Sequence, residues 1–159
     1  MNEQGAQTAG VIARPPLLFL GAIVLGLVAD WLFGWSLPAT AIGSLRWPIA
    51  GVLVLLGVAL MTAGIRNFSR AGTPVPTNVR TRVLVTSGIH ARSRNPIYVG
   101  MFLMYIGIGL AARSPSILAF FVPLAIVMRY GVVAREEAYL ERCFGDEYRD
   151  YKRRVRRWL

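Results

Sequence analysis

The stretch SRNPIYVG, residues 93–100, combines the residue types of an anion site with those of a helix start. Asn is a favoured N-cap and Pro suits the first helical position, so Asn95 and Pro96 predict a helix N-terminus. The free N–H groups of such a terminus, beside the guanidinium of Arg94, would bind a carboxylate or a phosphate. An ordinary helix start with an interfacial Tyr98 explains the same residues. Local chemistry therefore leaves both interpretations open.

A second polar cluster follows the last apolar block. Six of the eight acidic residues lie between Glu136 and Asp150, and Glu136 and Glu137 are adjacent. Paired glutamates at the end of a membrane helix are usually solvated. If they faced Arg94 and Asn95 on the same side of the membrane, they would instead complement a ligand that carries positive charge.

Metal and nucleic acid are not expected. Cys143 and His90 are the single members of their types, and zinc or iron sites need several such ligands. His90 by itself indicates a hydrogen-bonded loop histidine, although it is also a candidate proton acceptor. The net charge is +10, but the eighteen basic residues lie between and after apolar blocks. Flanking charges of membrane spans are placed in this way, so nucleic acid is not a predicted partner.

Membrane helices must position these groups. The 159 residues are 55% apolar, their mean hydropathy is +0.49, and about 20 apolar residues cross a bilayer. We predict a single all-α domain, an integral membrane helical bundle with four transmembrane helices and C-terminal amphipathic cytoplasmic helices. The predicted spans are residues 16–35, 47–68, 96–112 and 114–134.

The basic residues predict the orientation of this bundle. With a cytoplasmic N-terminus, Arg46 and Arg113 are the two basic residues on the outer side, and the other sixteen face the cytoplasm. Such an asymmetry is a positive-inside signal. It predicts a multi-pass protein of the inner (cytoplasmic) membrane with both termini in the cytoplasm.

Two cytoplasmic segments complete the predicted fold. The connection 69–95 is long for a bundle, and its apolar Val83–Val85 core predicts that it folds back onto the bundle, with a turn at Thr86–Gly88. Segment 135–159 has a helical apolar stripe and is predicted to form two helical pieces with a kink at Gly145. The opposite face is basic and is predicted to contact anionic lipid headgroups. Its residues are Lys152, Arg153, Arg154, Arg156 and Arg157.

Three stretches in their order resemble the isoprenylcysteine carboxyl methyltransferase and phospholipid methyltransferase superfamily of integral membrane enzymes. They are GTPVP at 72–76, LVTSGIHARSRNPIYVG at 84–100 and REEAYLERCFGDEYRDYKRRVRRWL at 135–159. Each motif is short, but their order and spacing across a helical hairpin are specific. The resemblance covers roughly the C-terminal half of the chain.

The resemblance implies a methyltransferase that uses S-adenosylmethionine, held between the membrane mouth and the C-terminal segments. The family's motif of arginine, polar residue, proline and tyrosine falls on residues 94–98, and its glutamate pair falls on residues 136–137. For the chemical step the implied residues are Arg94 and Glu137. For the cofactor they are Leu84, Val85, Gly88, His90, Asn95, Pro96, Tyr98, Glu136 and Glu137. Methyl transfer from a sulfonium needs alignment more than acid or base groups. The proton of an amine acceptor would pass to Glu137 or His90.

Two places depart from the family pattern, and a third distinguishes its two branches. Ile89-His90 stands where members often have Pro-Tyr, so a cofactor contact by that tyrosine is not expected here. Isoprenylcysteine enzymes usually carry histidine before the proline and phospholipid enzymes more often asparagine, so Asn95 favours a lipid amine. Val132 stands at the place of a frequent arginine, which a neighbouring arginine would have to replace.

The sequence leaves alternatives open for the identity of the methyl acceptor and for the class of protein. A membrane lipid or lipidated substrate, entering laterally between helices, would offer an amine, a carboxylate or a thiol. NADPH-dependent membrane reductases share the architecture, but no additional basic cluster for a 2′-phosphate stands out. A small four-helix transporter or scaffold would use Asp30 as its coupling acid, and it would not need the long connection or the cluster at Glu136. No feature predicts an oligomeric state.

Overall fold

The computed structural model describes residues 9–40, 43–75 and 81–159, and no strand occurs in these ranges. The all-α prediction is confirmed. Pro76 of the GTPVP stretch and Arg80, one of the basic residues assigned to the inner side, lie outside the described residues.

Four apolar helices and one amphipathic helix make up the described fold. They are α1 (Pro15–Phe33), α2 (Arg46–Arg70), α3 (Pro96–Ala111), α4 (Pro115–Val127) and α5 (Ala134–Arg154). A π-helical turn, Met128–Val133, joins α4 to α5 without a break. A short 3-10 turn, Gly88–Ala91, lies in the connection before α3.

The described residues contain three helical stretches that are long and apolar enough to cross a bilayer, Pro15–Phe33, Gly43–Arg70 and Pro115–Arg154. Helix α3 is apolar as well but has 16 residues. Its length of about 24 Å is less than the ~30 Å of a hydrocarbon core. The predicted membrane bundle is confirmed, while a crossing by all four apolar helices stays a prediction.

Helices α2 and α3 approach each other closely at two glycines. A Cβ atom on Gly57 would lie 2.5 Å from the carbonyl oxygen of Gly100, and a Cβ atom on Gly100 would lie 2.5 Å from that of Gly57. Small residues allow membrane helices to pack backbone against backbone in this way. The contact fixes the position of α3, whose N-terminus carries the SRNPIYVG stretch.

We expect Gly100→Val to lower the free energy of unfolding by about 1–3 kcal/mol, because the added carbons overpack this contact. Thermal unfolding in detergent would show a lower Tm. Gly51→Val is the matched control on α2, since a Cβ atom on Gly51 would meet nothing within 4 Å. Equal Tm values for the two variants would contradict the close helix contact.

Helix α1 is tied to the start of α4 by the predicted coupling acid. The carboxylate of Asp30 accepts hydrogen bonds from the Ser114 hydroxyl and, at 3.2 Å, from the Ser116 backbone N–H. An acid is favoured beside a helix N-terminus, where backbone N–H groups are unpaired. Asp30 therefore has a structural role at the end of the bundle opposite Arg14.

The last segment of the chain differs in part from its predicted helix. The kink is confirmed, because Gly145 has φ 52° and ψ −122° inside α5. The helix ends at Arg154, however, and Val155 has extended backbone angles, φ −118° and ψ 131°. Residues 155–159, which we call the strap, are thus not helical, and the prediction of helix to the end of the segment is wrong. Carbonyl oxygens of the strap accept hydrogen bonds from Arg94 and Asn95, just before α3, in place of those of a continued helix.

Candidate functional site

A polar pocket of about 50 Å³ lies where the connection, the start of α3 and helix α5 meet. Its lining consists of Phe68, Thr81, Val83, Leu84, Val85, His90, Arg94, Asn95, Glu136, Glu137, Leu140, Tyr148 and Tyr151. Seven of the predicted site residues are therefore brought together here, although they come from segments about 50 positions apart in the sequence.

The other predicted site residues lie beside this pocket. Pro96 and Tyr98 line an adjoining cavity of about 30 Å³, which shares His90, Arg94 and other residues with the polar pocket. Among the described residues, Gly88 does not appear in the lining of either cavity. Its φ of +58° and its contact with Asn67, 2.4 Å from a Cβ built on Gly88 to Nδ2, show that Gly88 shapes the loop instead.

Glu137 is held by two arginines. Arg157 donates from Nε to Oε1 at 2.9 Å and from Nη2 to Oε2 at 2.6 Å, which is the bidentate geometry of a guanidinium on a carboxylate. Arg94 Nη1 lies 3.1 Å from Oε1, and the side chains of Arg94 and Glu137 are 9% and 8% exposed. The strongest electrostatic contact of the site thus joins the α3 start, α5 and the strap.

Several buried polar atoms of the pocket are not hydrogen-bonded within the described chain. They are Nε of Arg94, Oγ1 of Thr81 and Nη1 of Arg94, and the last of these is at ion-pair distance from Glu137. Most buried polar groups in proteins have a partner. These atoms therefore indicate a place where a polar ligand would complete the hydrogen bonding.

Glu136 connects α5 to α3 through a tyrosine. The buried Tyr98 hydroxyl donates to Glu136 Oε1 at 2.7 Å, and Glu136 is itself 5% exposed. Within the described ranges Glu136 forms no ion pair, in contrast to its neighbour Glu137. The two adjacent glutamates thus have different environments, one with two cations and one with a phenol.

The helix start at Asn95 is used differently from the predicted cap. Asn95 occupies the N-cap position and Pro96 the first turn, but the Asn95 side chain makes no capping hydrogen bond. Its Nδ2 donates to the Arg157 carbonyl at 2.9 Å instead. The backbone N–H groups at the start of α3 are therefore not capped by Asn95, which leaves the anion-binding interpretation of this terminus open.

His90 is a buried, neutral residue. Its ring packs edge-on against Phe68 at a centroid distance of 4.9 Å, its Nδ1 lies 3.3 Å from Asn67 Nδ2, and its carbonyl accepts from the Tyr151 hydroxyl at 2.7 Å. Burial lowers the pKa of His90 to about 4. The imidazole is therefore uncharged at neutral pH and a weak proton acceptor.

This pKa predicts how stability depends on pH. Histidine in an unfolded chain has a pKa of 6.5, so between pH 6.5 and about 4 the unfolded state binds more protons than the folded state. Stability is full above this window and falls as the pH is lowered through it. His90→Gln should show a shallower fall of Tm between these pH values, measured by thermal unfolding. A slope equal to that of the unmodified protein would contradict the buried neutral histidine.

Sequence reasoning missed four residues of the site that carry polar groups. Thr81, Tyr148 and Tyr151 line the pocket, and Arg157 binds Glu137. The two tyrosines lie on the predicted apolar stripe of segment 135–159. The spacing of the stripe indicated which side of the helix is buried, but not that this side faces the polar pocket. Arg157 was assigned to the headgroup-contacting face, and that assignment is wrong because its side chain turns inward.

A larger apolar groove of about 790 Å³ lies between α1, α2 and α3. Its lining includes Phe19, Met61, Ile65, Met101, Met104 and Tyr105. Arg14, which directly precedes α1, is the charged residue among its described lining residues. Val75, Ile97 and Tyr98 line both this groove and the 30 Å³ cavity beside the polar pocket. Tyr98 therefore lies between the apolar groove and the cavity that adjoins the polar pocket.

Comparisons with known proteins agree with this arrangement. The family model of phospholipid methyltransferases matches residues 45–147, which include the whole of α2, α3 and α4 and both glutamates. No solved structure gives a significant match.

Curated relatives carry a related name. A protein-S-isoprenylcysteine O-methyltransferase of Dictyostelium discoideum is 29% identical over 140 residues, 84% of this chain and 57% of the relative. The Schizosaccharomyces pombe protein of that name is 30% identical over 150 residues, 84% of this chain and 63% of the relative. The Rattus norvegicus protein is 38% identical over 100 residues, 62% of this chain and 34% of the relative. The chain thus spans between about a third and two thirds of the length of these relatives.

The match to the family model extends over more than half of the chain and includes α2, α3, α4 and the glutamate pair of the polar pocket. The chain therefore belongs to the phospholipid methyltransferase family.

Proposed function

We propose that the protein is an S-adenosylmethionine-dependent methyltransferase that acts on a hydrophobic or lipid-linked acceptor at the cytoplasmic face of the membrane. The observation that carries this proposal is that Tyr98 lines both the apolar groove and the 30 Å³ cavity that adjoins the polar pocket. An acceptor whose apolar chain lay in the groove would have its polar end beside the pocket. Family membership supports the transfer of a methyl group there.

The polar pocket fits the charges of the cofactor. S-adenosylmethionine carries an ammonium group, a carboxylate and a sulfonium, and when bound it would supply an electrophilic methyl group. Glu136, which forms no ion pair within the described chain, would bind the ammonium group. The unbonded donors of Arg94 and the start of α3 would bind the carboxylate.

The pocket must widen to admit a nucleoside. Its volume of about 50 Å³ is well below the ~300 Å³ at the lower end of ligand pockets. Helices form most of its walls, whereas residues 81–87 have no regular structure. We expect this stretch, which includes the predicted cofactor-binding residues Leu84 and Val85, to move when the cofactor binds.

The residues around Tyr98 would align the acceptor with the methyl group of the cofactor and exclude water from both. The groove excludes water from the acceptor, and Tyr98 and Glu136 are both buried. An amine acceptor must lose a proton. The carboxylate beside Tyr98 is that of Glu136, which would take this proton, whereas Glu137 already binds two guanidinium groups.

Entry from the lipid and the orientation in the membrane belong to the same proposal. Leu17 and Leu20 line the groove and are 61% and 57% exposed, so a lipid chain has access to it from the side. Exposed basic residues at the end of α5 and in the strap would face anionic headgroups on the cytoplasmic side. These are Lys152, Arg153, Arg154 and Arg156.

The alternative functions have less support. A transporter that used Asp30 would need this carboxylate to be available, but it is engaged by Ser114 and Ser116. For a reductase, the 2′-phosphate and the pyrophosphate of NADPH would need several cations, and Arg94 is the single arginine or lysine in the described lining of the polar pocket.

Calorimetry on the purified protein in detergent tests the cofactor. We expect S-adenosylmethionine to bind, S-adenosylhomocysteine to compete for the same site, and NADPH to give no heat of binding. Absence of binding at millimolar S-adenosylmethionine would reject the methyltransferase, and binding of NADPH alone would favour the reductase.

A second experiment identifies the acceptor. Labelled methyl groups from the cofactor would be followed into a total lipid extract and, in parallel, into a synthetic prenylated cysteine. Label in an amine headgroup would agree with Asn95 as the phospholipid-type residue, whereas label in the prenylated cysteine would assign a carboxylate acceptor.

A further inference from the structure

The strap, residues 155–159, returns to the polar pocket although it follows the last helix. It lies beyond residues 45–147, which the family model matches, and its backbone leaves the helical conformation at Val155. Leaving a helix forfeits hydrogen bonds that the segment could otherwise form, so contacts elsewhere must replace them.

Two of these contacts join the backbone of the strap to the residues directly before α3. The Arg94 N–H donates to the Arg156 carbonyl at 3.0 Å, and Asn95 Nδ2 donates to the Arg157 carbonyl at 2.9 Å. The strap thus fixes both the main chain at Arg94 and the amide plane of Asn95.

Two side chains secure the strap. The guanidinium of Arg157 binds both carboxylate oxygens of Glu137, at 2.9 and 2.6 Å. Trp158 packs onto the apolar core, with its ring edge-on to Phe102 at 6.2 Å. A planar guanidinium on two oxygens sets the rotation of a carboxylate, whereas a single point charge does not.

In the described chain the strap does not itself line the polar pocket, but the three residues it holds, Arg94, Asn95 and Glu137, all do. The strap therefore contacts these residues from outside the pocket. This distinguishes the strap from the residues that would touch the cofactor.

We propose that Arg157 is a positioning residue of the cofactor site, which sets the rotation of the Glu137 carboxylate between two guanidinium groups and thereby the place of Arg94. The inference rests on the proposed function, because Arg94 and Glu137 are positioned to bind the amino-acid part of S-adenosylmethionine. Without Arg157, Glu137 keeps one cation and rotates freely, and Arg94 is drawn fully to it and away from a ligand carboxylate.

Binding of S-adenosylhomocysteine, measured by calorimetry, tests this inference. Arg157→Ala should weaken binding by about tenfold or more, equivalent to ~1.4 kcal/mol. Arg157→Lys, which keeps the charge but loses the bidentate geometry, should fall between Arg157→Ala and the unmodified protein. Arg142→Ala is the control, since it removes one exposed positive charge from α5 and should leave binding unchanged.

A double-mutant cycle separates positioning from general destabilisation. In the Glu137→Gln background, Arg157→Ala should cause no further loss of affinity, because its effect passes through Glu137. Additive losses, or unchanged affinity of Arg157→Lys, would overturn the inference. The Arg157→Lys comparison decides alone if Arg157→Ala does not fold. If the unmodified protein binds no S-adenosylhomocysteine, the proposed function fails and the positioning role fails with it, whereas binding that is insensitive to Arg157 overturns only the latter.

Discussion

Glu137→Gln is expected to weaken binding of S-adenosylmethionine by about tenfold or more and to lower the Tm of the protein. The substitution removes the anion between Arg94 and Arg157 and leaves two guanidinium groups facing each other at low exposure. Breaking a buried ion pair by removing one partner costs about 3–5 kcal/mol. The Arg157 side chain is 26% exposed, so we expect a stability loss near the lower end of this range. Calorimetry and thermal unfolding in detergent measure the two effects.

Glu141→Gln is the matched control for this prediction. It is the same substitution on the same helix, and Glu141 pairs with Lys152 at 3.2 Å where both side chains are more than a third exposed. Exposed pairs contribute about 0–1 kcal/mol, so neither affinity nor Tm should change much. Asp30→Asn should also leave cofactor binding intact, since Asp30 contacts the start of α4. Wild-type affinity of Glu137→Gln, or loss of affinity in Asp30→Asn, would show that the site is misplaced.

Much of the fold could be predicted because it is encoded locally. The apolar blocks differ sharply in hydropathy from the segments between them, and special residues mark their ends. Pro96 begins α3, and Gly145 interrupts α5. Each of these residues restricts or permits backbone angles by its own chemistry, so tertiary contacts were not needed to place them.

The site could be predicted only in part, because its hydrogen bonds are set by tertiary structure. Arg156 and Arg157 are identical neighbours in a basic run, and nothing in the sequence distinguishes the exposed one from the one that binds Glu137. Asn95 was placed correctly at the helix start. Its side-chain amide, however, bonds to the strap, 62 positions away, instead of capping the helix. The conformation of the strap could not be predicted for the same reason. Its periodic apolar stripe predicts a helix, but contacts with residues far away in the sequence hold it in a non-helical conformation.

The groove could not be predicted for another reason. In a membrane helix, side chains that face lipid and side chains that line a cavity are both apolar, so hydropathy does not separate them. Met61 and Leu55 on α2 are an example, because Met61 lines the groove whereas Leu55 is 71% exposed. This pair of residues provides a test of the groove.

Met61→Trp is expected to reduce methyl transfer to a lipid-linked acceptor by about tenfold or more. One methylene group too many or too few in a hydrophobic pocket already changes the rate constant for a substrate by roughly 10–200-fold. The indole would fill the part of the groove between α2 and α3 and displace the acceptor chain from Tyr98. The polar pocket does not include Met61 in its described lining, so the affinity for S-adenosylmethionine should stay the same. Labelled methyl transfer and calorimetry on the same preparation measure the two quantities.

Leu55→Trp controls for the addition of an indole to α2 at an exposed apolar position, and it should leave both quantities unchanged. A loss of transfer with retained cofactor binding in Met61→Trp alone would assign the groove to the acceptor. Equal transfer by the two variants would instead mean that the acceptor reaches Tyr98 by another route. A parallel loss of cofactor binding in Met61→Trp would show that the variant disturbs α3, because the α2–α3 contact at Gly57 and Gly100 lies one turn away from Met61 and positions the start of α3 for the polar pocket.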